Sequence, residues 1–124
     1  MKVPSGSKLG LGFSRAVRVG DMVFVSGCAP IAPDGGVAAP GDVKAQTMRC
    51  LEIIEGALVQ AGADIKDVVR TRVFLTDMSR WKEAGEAHGE VFKDIEPATS
   101  FLGTSALINS GWLVEVEADA VVTR

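Results

Sequence analysis

Between Phe13 and Ser26 the chain reads FSRAVRVG and then, past Asp21, MVFVS, two apolar and β-branched runs separated by Gly20-Asp21. Such a pair closed by a tight-turn dipeptide predicts a β-hairpin. Ala29 to Gly41 holds three of the five prolines and the turn Asp34-Gly35-Gly36, so it is expected to be a loop. From Val43 to Ala61 the period changes: Met48, Leu51, Ile54, Leu58 and Ala61 recur at helical spacing, with Asp42 suited to the N-cap and Gly62 to the position just past the end. Val68 to Thr76 returns to alternation, with Val69, Thr71, Val73 and Leu75 directed to a core and Arg70, Arg72, Phe74 and Thr76 directed away. Ser79 is expected to cap a second helix that carries Trp81, Ala84, His88 and Phe92 on one face and is stopped by Pro97.

Thr99 to Ile108 and Leu113 to Val122 are predicted to form a second hairpin around Asn109-Ser110-Gly111. In its closing strand Val114, Val116, Ala118, Ala120 and Val122 share one face, and Leu113, Glu115, Glu117, Asp119 and Val121 share the other. The predicted order is ββαβαββ over one domain, residues 1–124, an α+β layer of mostly antiparallel sheet with two helices on one face. The other sheet face would carry Phe74 and Val121 among Arg70, Arg72, Glu115, Glu117 and Asp119. That mixture is too apolar for open solvent and too charged for a core, so packing against copies of the same chain is expected.

The composition narrows the possible functions. Thirteen Lys+Arg against sixteen Asp+Glu give a net charge of −3, which disfavours a phosphate-binding surface for nucleic acid. Cys28 and Cys50 form neither a disulfide framework nor a metal-ligand cluster, so no metal is expected and a reducing compartment is the default. Met1 to Gly12 lacks an apolar stretch of signal-peptide type, and a cytoplasmic location is expected.

Four segments then resemble one family: FSRAVRVGDMVFVSGCAP (Phe13 to Pro30), VVRTRVFLTD (Val68 to Asp77), FKDIEPA (Phe92 to Ala98) and VEVEADAVV (Val114 to Val122). Together, in this order and spacing, they are similar to the Rid/YjgF family. The resemblance implies a chorismate-mutase-like fold, a homotrimer with small-molecule clefts between subunits, and cofactor-free hydrolysis of enamines or imines to carbonyl compounds and ammonia. It places Glu115 as the residue that handles water, and Phe13, Ser26, Gly27, Thr99 and Phe101 as cleft walls. Phe13 stands where the family usually has tyrosine, and Gly85 where active members often carry asparagine.

Thr99 is the departure with the largest consequence, since the family's carboxylate-binding arginine belongs there. An Arg–carboxylate pair in a partly desolvated cleft is worth about 2–5 kcal/mol, whereas one neutral hydroxyl bond is worth about 0.5–1.5 kcal/mol. The substrate is therefore expected to differ from the usual 2-imino acids. Arg15 and Arg72 are the candidate replacement cations, although a structural pairing of Arg72 with Glu115 or Glu117 is the simpler expectation. His88 is expected to pack in its helix with its nitrogens satisfied, and Cys28 to serve as a small buried apolar residue. A non-catalytic metabolite-binding or regulatory trimer is the alternative function. A ribonuclease or translation-inhibitor role is disfavoured by the acidic balance.

Overall fold

The computed structural model describes residues 1–123. Strands β1 (Lys2–Pro4), β2 (Ser14–Val19) and β3 (Met22–Cys28) precede helix α1 (Val43–Gln60); β4 (Val68–Leu75), helix α2 (Trp81–Phe92), β5 (Ala98–Gly103) and β6 (Val114–Val121) follow. They form one sheet in the order β1-β2-β3-β6-β4-β5, so the mostly antiparallel α+β layer is present. The first hairpin forms as expected, with Val19 opposite Met22 and Gly20 at φ +59° in the turn. Here the left-handed backbone favours glycine.

The second hairpin does not form. β5 pairs in parallel with β4, Thr99 beside Thr71, and β6 inserts between β3 and β4. The cause is connectivity: α2 links β4 to β5 as a crossover, which returns the chain in the same direction, whereas a tight turn would reverse it. The ten residues from Thr104 to Leu113 then cross to the centre of the sheet, and the Asn109-Ser110-Gly111 turn lies within that connection. Strand β1 was not anticipated; its three residues pair at the edge of β2.

Two further differences are local. A register irregularity between Val68 and Arg70 turns Val68 into the core and leaves Val69 exposed, opposite to strict alternation. Ser79 is not the cap of α2. Asp77 accepts from Ser79 N at 3.0 Å and Ser79 Oγ at 2.6 Å, starting a short 3₁₀ turn, Met78–Arg80, from which α2 continues without a side-chain cap. The helix also stops well before Pro97, where the N–H groups of Ile95 and Glu96 both donate to Phe92 O.

Helix α1 keeps its predicted signals: Asp42 accepts from Ala45 N, and Gly62 follows the helix at φ +78°. Its buried face, including Cys50, Leu51, Ile54 and Leu58, meets Val23, Val25, Val73, Val114, Val116 and Ala118 from the sheet. This is the core, and its removal from water is the main stabilising contribution. Gly56 lies on the exposed side of α1, where an added Cβ would meet nothing within 4 Å. Gly56→Ala is expected to stabilise the fold by about 0.5–1 kcal/mol and raise the thermal midpoint by about 2–4 °C, measurable by calorimetry.

Candidate functional site

The sheet face not covered by helices is organised in cross-strand rows. Glu115 lies beside Phe74, Glu117 beside Arg72, and Asp119 between Phe24 and Arg70. Arg72 Nη1 lies 3.2 Å from Glu117 Oε1 and 3.5 Å from Asp119 Oδ2, so its charge is committed to those two acids. The structural pairing expected of Arg72 is therefore made to Glu117, not Glu115. Among the described residues the Glu115 carboxylate makes no ion pair or hydrogen bond.

The Glu115 carboxylate leans instead over Gly27, where β3 departs from regular pairing between Val25 and Cys28. A Cβ added at Gly27 would stand 2.7 Å from Glu115 Oε1, so the missing side chain is what makes room for the carboxylate. Gly27, Phe74, Thr104, Leu107, Glu115 and Glu117 line a cavity of about 360 Å³ at this point. Burial pushes the Glu115 carboxyl above its ordinary range; nearby Arg15 opposes the shift and Glu117 adds to it. Such a carboxylate is a better proton acceptor than one fully in water.

Arg15 joins this cavity to two more of the expected residues. Its Nη1 donates to Gly27 O at 2.8 Å, and its guanidinium lies 5.7 Å from the Phe13 ring centroid. Ser26 is next in the chain, but its hydroxyl donates to Ser14 O at 2.7 Å and holds β3 to β2. Cys28 is buried, its Sγ donating to Ser26 O at 3.3 Å, and burial pushes the thiol up despite Arg15. It remains a small apolar residue and not a thiolate nucleophile.

Thr99 and Phe101 lie elsewhere. They project from β5 on the helix-covered side, alongside Thr71 and Val73, and line an open groove of about 590 Å³ with Trp81, Gly85, His88 and Gly89 of α2. Within one chain the predicted site residues thus separate into two walls on opposite faces of the sheet. His88 packs on its helix as expected, its ring 4.5 Å from that of Phe92 and its Nε2 2.8 Å from Thr71 Oγ1, but only one of its two nitrogens is satisfied: among the described residues Nδ1 has no partner. Its burial holds the ring's pKa below the ordinary value, favouring the neutral form.

Phe74, Thr104 and Leu107 in the first cavity and Thr71 in the second wall were not singled out from sequence. Phe74 would have been found from the β4–β6 pairing, which puts it directly beside Glu115. Among the described residues no group of three or more His, Cys, Asp or Glu side chains could hold a metal ion, and no helix is long and apolar enough to cross a membrane.

A six-stranded mixed sheet with both helices on one face and a glutamate-lined cavity on the other defines an α+β protein of the YjgF, chorismate-mutase-like type. The chain belongs to the Rid/YjgF family, whose model, described as endoribonuclease L-PSP, matches residues 8–122. A RutC family protein from Pyrococcus abyssi is 38% identical over 108 residues, 87% of this chain and 84% of that protein. A YjgF-family structure from Mycobacterium tuberculosis is 48% identical, covers 98% of both chains and superposes with a TM-score of 0.88. TdcF from E. coli, solved with bound serine, is 28% identical at a TM-score of 0.84, covering 98% of this chain and 94% of that one.

Proposed function

We propose that the chain works as a homotrimer whose inter-subunit clefts bind a small metabolite and hydrolyse its enamine or imine to a carbonyl compound and ammonia. The observation that carries the reading is the unpaired, half-buried Glu115 carboxylate over the side-chain-free Gly27, at a cavity of small-metabolite size. In this scheme Glu115 takes a proton from water as the oxygen attacks the C=N carbon. Starting from the protonated imine, the neutral carbinolamine so formed receives that proton on nitrogen and expels ammonia while its hydroxyl proton passes to bulk water, leaving the carbonyl and regenerating the carboxylate. An enamine first tautomerises to the imine.

The trimer is supported by the separation of the two walls. Glu115 and Thr99 stand on opposite sheet faces of one protomer, so only a neighbouring copy could bring a Thr99–Phe101 wall against Glu115. Met22 and Phe24 remain exposed on the open face and give a second copy apolar area to cover. A solution mass of three chains at micromolar concentration is expected; a monomer would overturn this part.

Ammonia release from imines generated in situ by an amino-acid oxidase tests the reaction. Acceleration over the spontaneous rate, lost in Glu115→Ala, supports it; equal rates with and without protein, across imines with and without a carboxylate, would reject it. Gly27→Ala is a finer probe. Its methyl would displace the flexible Glu115 side chain rather than backbone, so activity is expected to fall at least tenfold while the circular dichroism spectrum and thermal midpoint stay close to wild type.

The non-catalytic reading retains one specific support, the absence of a cation at Thr99. A binder would be stabilised in thermal shift by a ligand recovered unchanged. The bound serine in TdcF supports small-metabolite binding under either reading.

A further inference from the structure

The second wall has a hydrogen-bond order that can be solved from its contacts. Thr99 Oγ1 lies 3.0 Å from Pro97 O, 2.7 Å from Thr71 Oγ1 and 3.4 Å from His88 Nε2. Thr71 Oγ1 in turn lies 2.8 Å from His88 Nε2. A carbonyl can only accept, so the Thr99 hydroxyl proton goes to Pro97. Thr71 must then donate to Thr99, and its own oxygen can only accept from His88. The reverse order would leave the Thr99–Pro97 contact without a proton between its two oxygens.

Two consequences follow for the groove. Thr99 has no proton left for a ligand, so the position at which the family resemblance seeks an arginine offers a carboxylate nothing. His88 is fixed with hydrogen on Nε2, which leaves Nδ1 with a lone pair. Among the described residues Nδ1 has no partner, and no buried side-chain nitrogen or oxygen is unsatisfied, so Nδ1 must reach solvent. His88 lines the groove between α2 and β5, the open space next to its ring.

We propose that His88 determines specificity: locked as the Nε2–H tautomer by Thr71, Thr99 and Pro97, it offers Nδ1 as an acceptor to a neutral, planar, N–H-bearing ligand and disfavours carboxylates. The surroundings fit a flat ligand. Trp81 and Phe101 meet edge-to-face at 5.9 Å and stand over Gly85, where an added Cβ would touch them at 3.9–4.0 Å, and Gly89 one turn on leaves the helix surface beside them without a side chain. An additional Cβ at Gly89 would meet nothing within 4 Å, which shows how open that surface is. Among the described residues Lys82 is the one cation that lines the groove; it is exposed, with Glu86 also lining the groove, so its attraction for an anion is screened by solvent. The pKa of His88, held down by burial, keeps the acceptor form at neutral pH.

This assignment rests on the Proposed function only in taking the groove as part of the ligand cleft, and it is tested by binding without turnover. His88 is the chain's only histidine, so its ring nitrogens can be read without assignment ambiguity in a long-range ¹H–¹⁵N spectrum of the ¹⁵N-labelled protein. Nε2 is expected to be protonated and Nδ1 unprotonated above neutral pH, with Thr71→Val shifting the ring toward a tautomer mixture. A predominant Nδ1–H form in the wild type would overturn the proposal. Indole, 1-methylindole and benzoate are then titrated while the amides of Gly85 and Gly89 are followed. Indole is expected to bind at least tenfold more tightly than either of the others, and Thr99→Arg to reverse the order in favour of benzoate. Equal binding of indole and 1-methylindole, preference of the wild type for benzoate, or no binding of any probe would overturn it. Loss of imine hydrolysis with the indole preference intact would reject only the enzymatic reading.

Discussion

Glu115→Gln is expected to reduce imine hydrolysis about 10²-fold or more while raising the thermal midpoint at neutral pH. The rate loss follows from removing the proton acceptor but keeping the side chain's shape, since a positioned general base contributes about 10²–10⁴-fold. The gain in stability follows from burial. The folded protein holds the Glu115 carboxyl above its ordinary pKa, chiefly by desolvation, with Arg15 opposing and Glu117 assisting. A carboxyl raised in this way is bound more tightly to its proton in the folded state than in the unfolded one. Below the unfolded value it is neutral in both states and no penalty exists; as pH rises through the raised value the fold must hold a partly desolvated charge, and stability is lost. The midpoints of the wild type and of the Glu115→Gln variant should therefore converge in acid and separate toward neutral pH. The activity profile should be complementary, rising with pH through the same raised pKa as the carboxylate form appears. Thermal scans and initial rates over one pH series measure both; unchanged activity together with a lowered midpoint would show that Glu115 is structural.

The two effects share one cause. Arg72 stands one row away and would neutralise a carboxylate at Glu115, but its guanidinium is held by Glu117 and Asp119. Three acids on one strand face thus divide into two that are compensated and one that is not. The uncompensated one is the acid opposite Gly27, where the ladder is interrupted and a cavity opens.

Alternation along the last strand was enough to place Glu115 on the uncovered face, because side chains two apart in a strand must share a side. The helical stripe from Leu51 to Leu58 likewise located the core, since burial of a helix requires one continuous apolar face. Strand partnership was not legible in the same way. Alternation in Thr99 to Phe101 is compatible with a parallel or an antiparallel neighbour, and the turn residues Asn109-Ser110-Gly111 suggested the wrong one. That error concealed the separation of Thr99 from Glu115 within one chain, and with it the pairing of Phe74 with Glu115. The chain from Thr99 to His88 was hidden for a different reason: Thr71, His88 and Thr99 are distant in sequence and meet only after the β4–α2–β5 crossover is built. His88 was legible as a packed residue, but the direction of its hydrogen bond depends on Pro97 O, a backbone atom no residue pattern reports.

Gln46→Leu is expected to be among the most destabilising single substitutions outside the apolar core, by about 2–4 kcal/mol. Gln46 is fully buried on the first turns of α1, and its side chain replaces backbone pairing that the connection before β6 lacks. Leu113 N donates to its Oε1 at 2.9 Å, and its Nε2 donates to Gly111 O at 3.0 Å, with Ala39 O a longer contact at 3.4 Å. Leucine conserves the volume, so no large cavity forms. It would instead strand a donor at Leu113 and an acceptor at Gly111 near the interior, each without its partner, at about 1–3 kcal/mol apiece before relaxation. Thr47→Val is the control. Thr47 is equally buried, but its hydroxyl donates to Val43 O at 2.8 Å within the same helix, and losing that local bond is expected to change stability by less than about 1 kcal/mol. Urea unfolding of the two variants, compared at a common slope, measures the difference. Gln46→Leu should also weaken catalysis beyond its effect on the folded fraction, because the connection it anchors at Gly111 and Leu113 leads directly into Val114 and Glu115. If Gln46→Leu unfolds no more readily than Thr47→Val, the connection is held by its own Asn109 turn, in which Gly111 N donates to Asn109 Oδ1 and Trp112 N to Asn109 O, and Glu115 is positioned by the sheet alone.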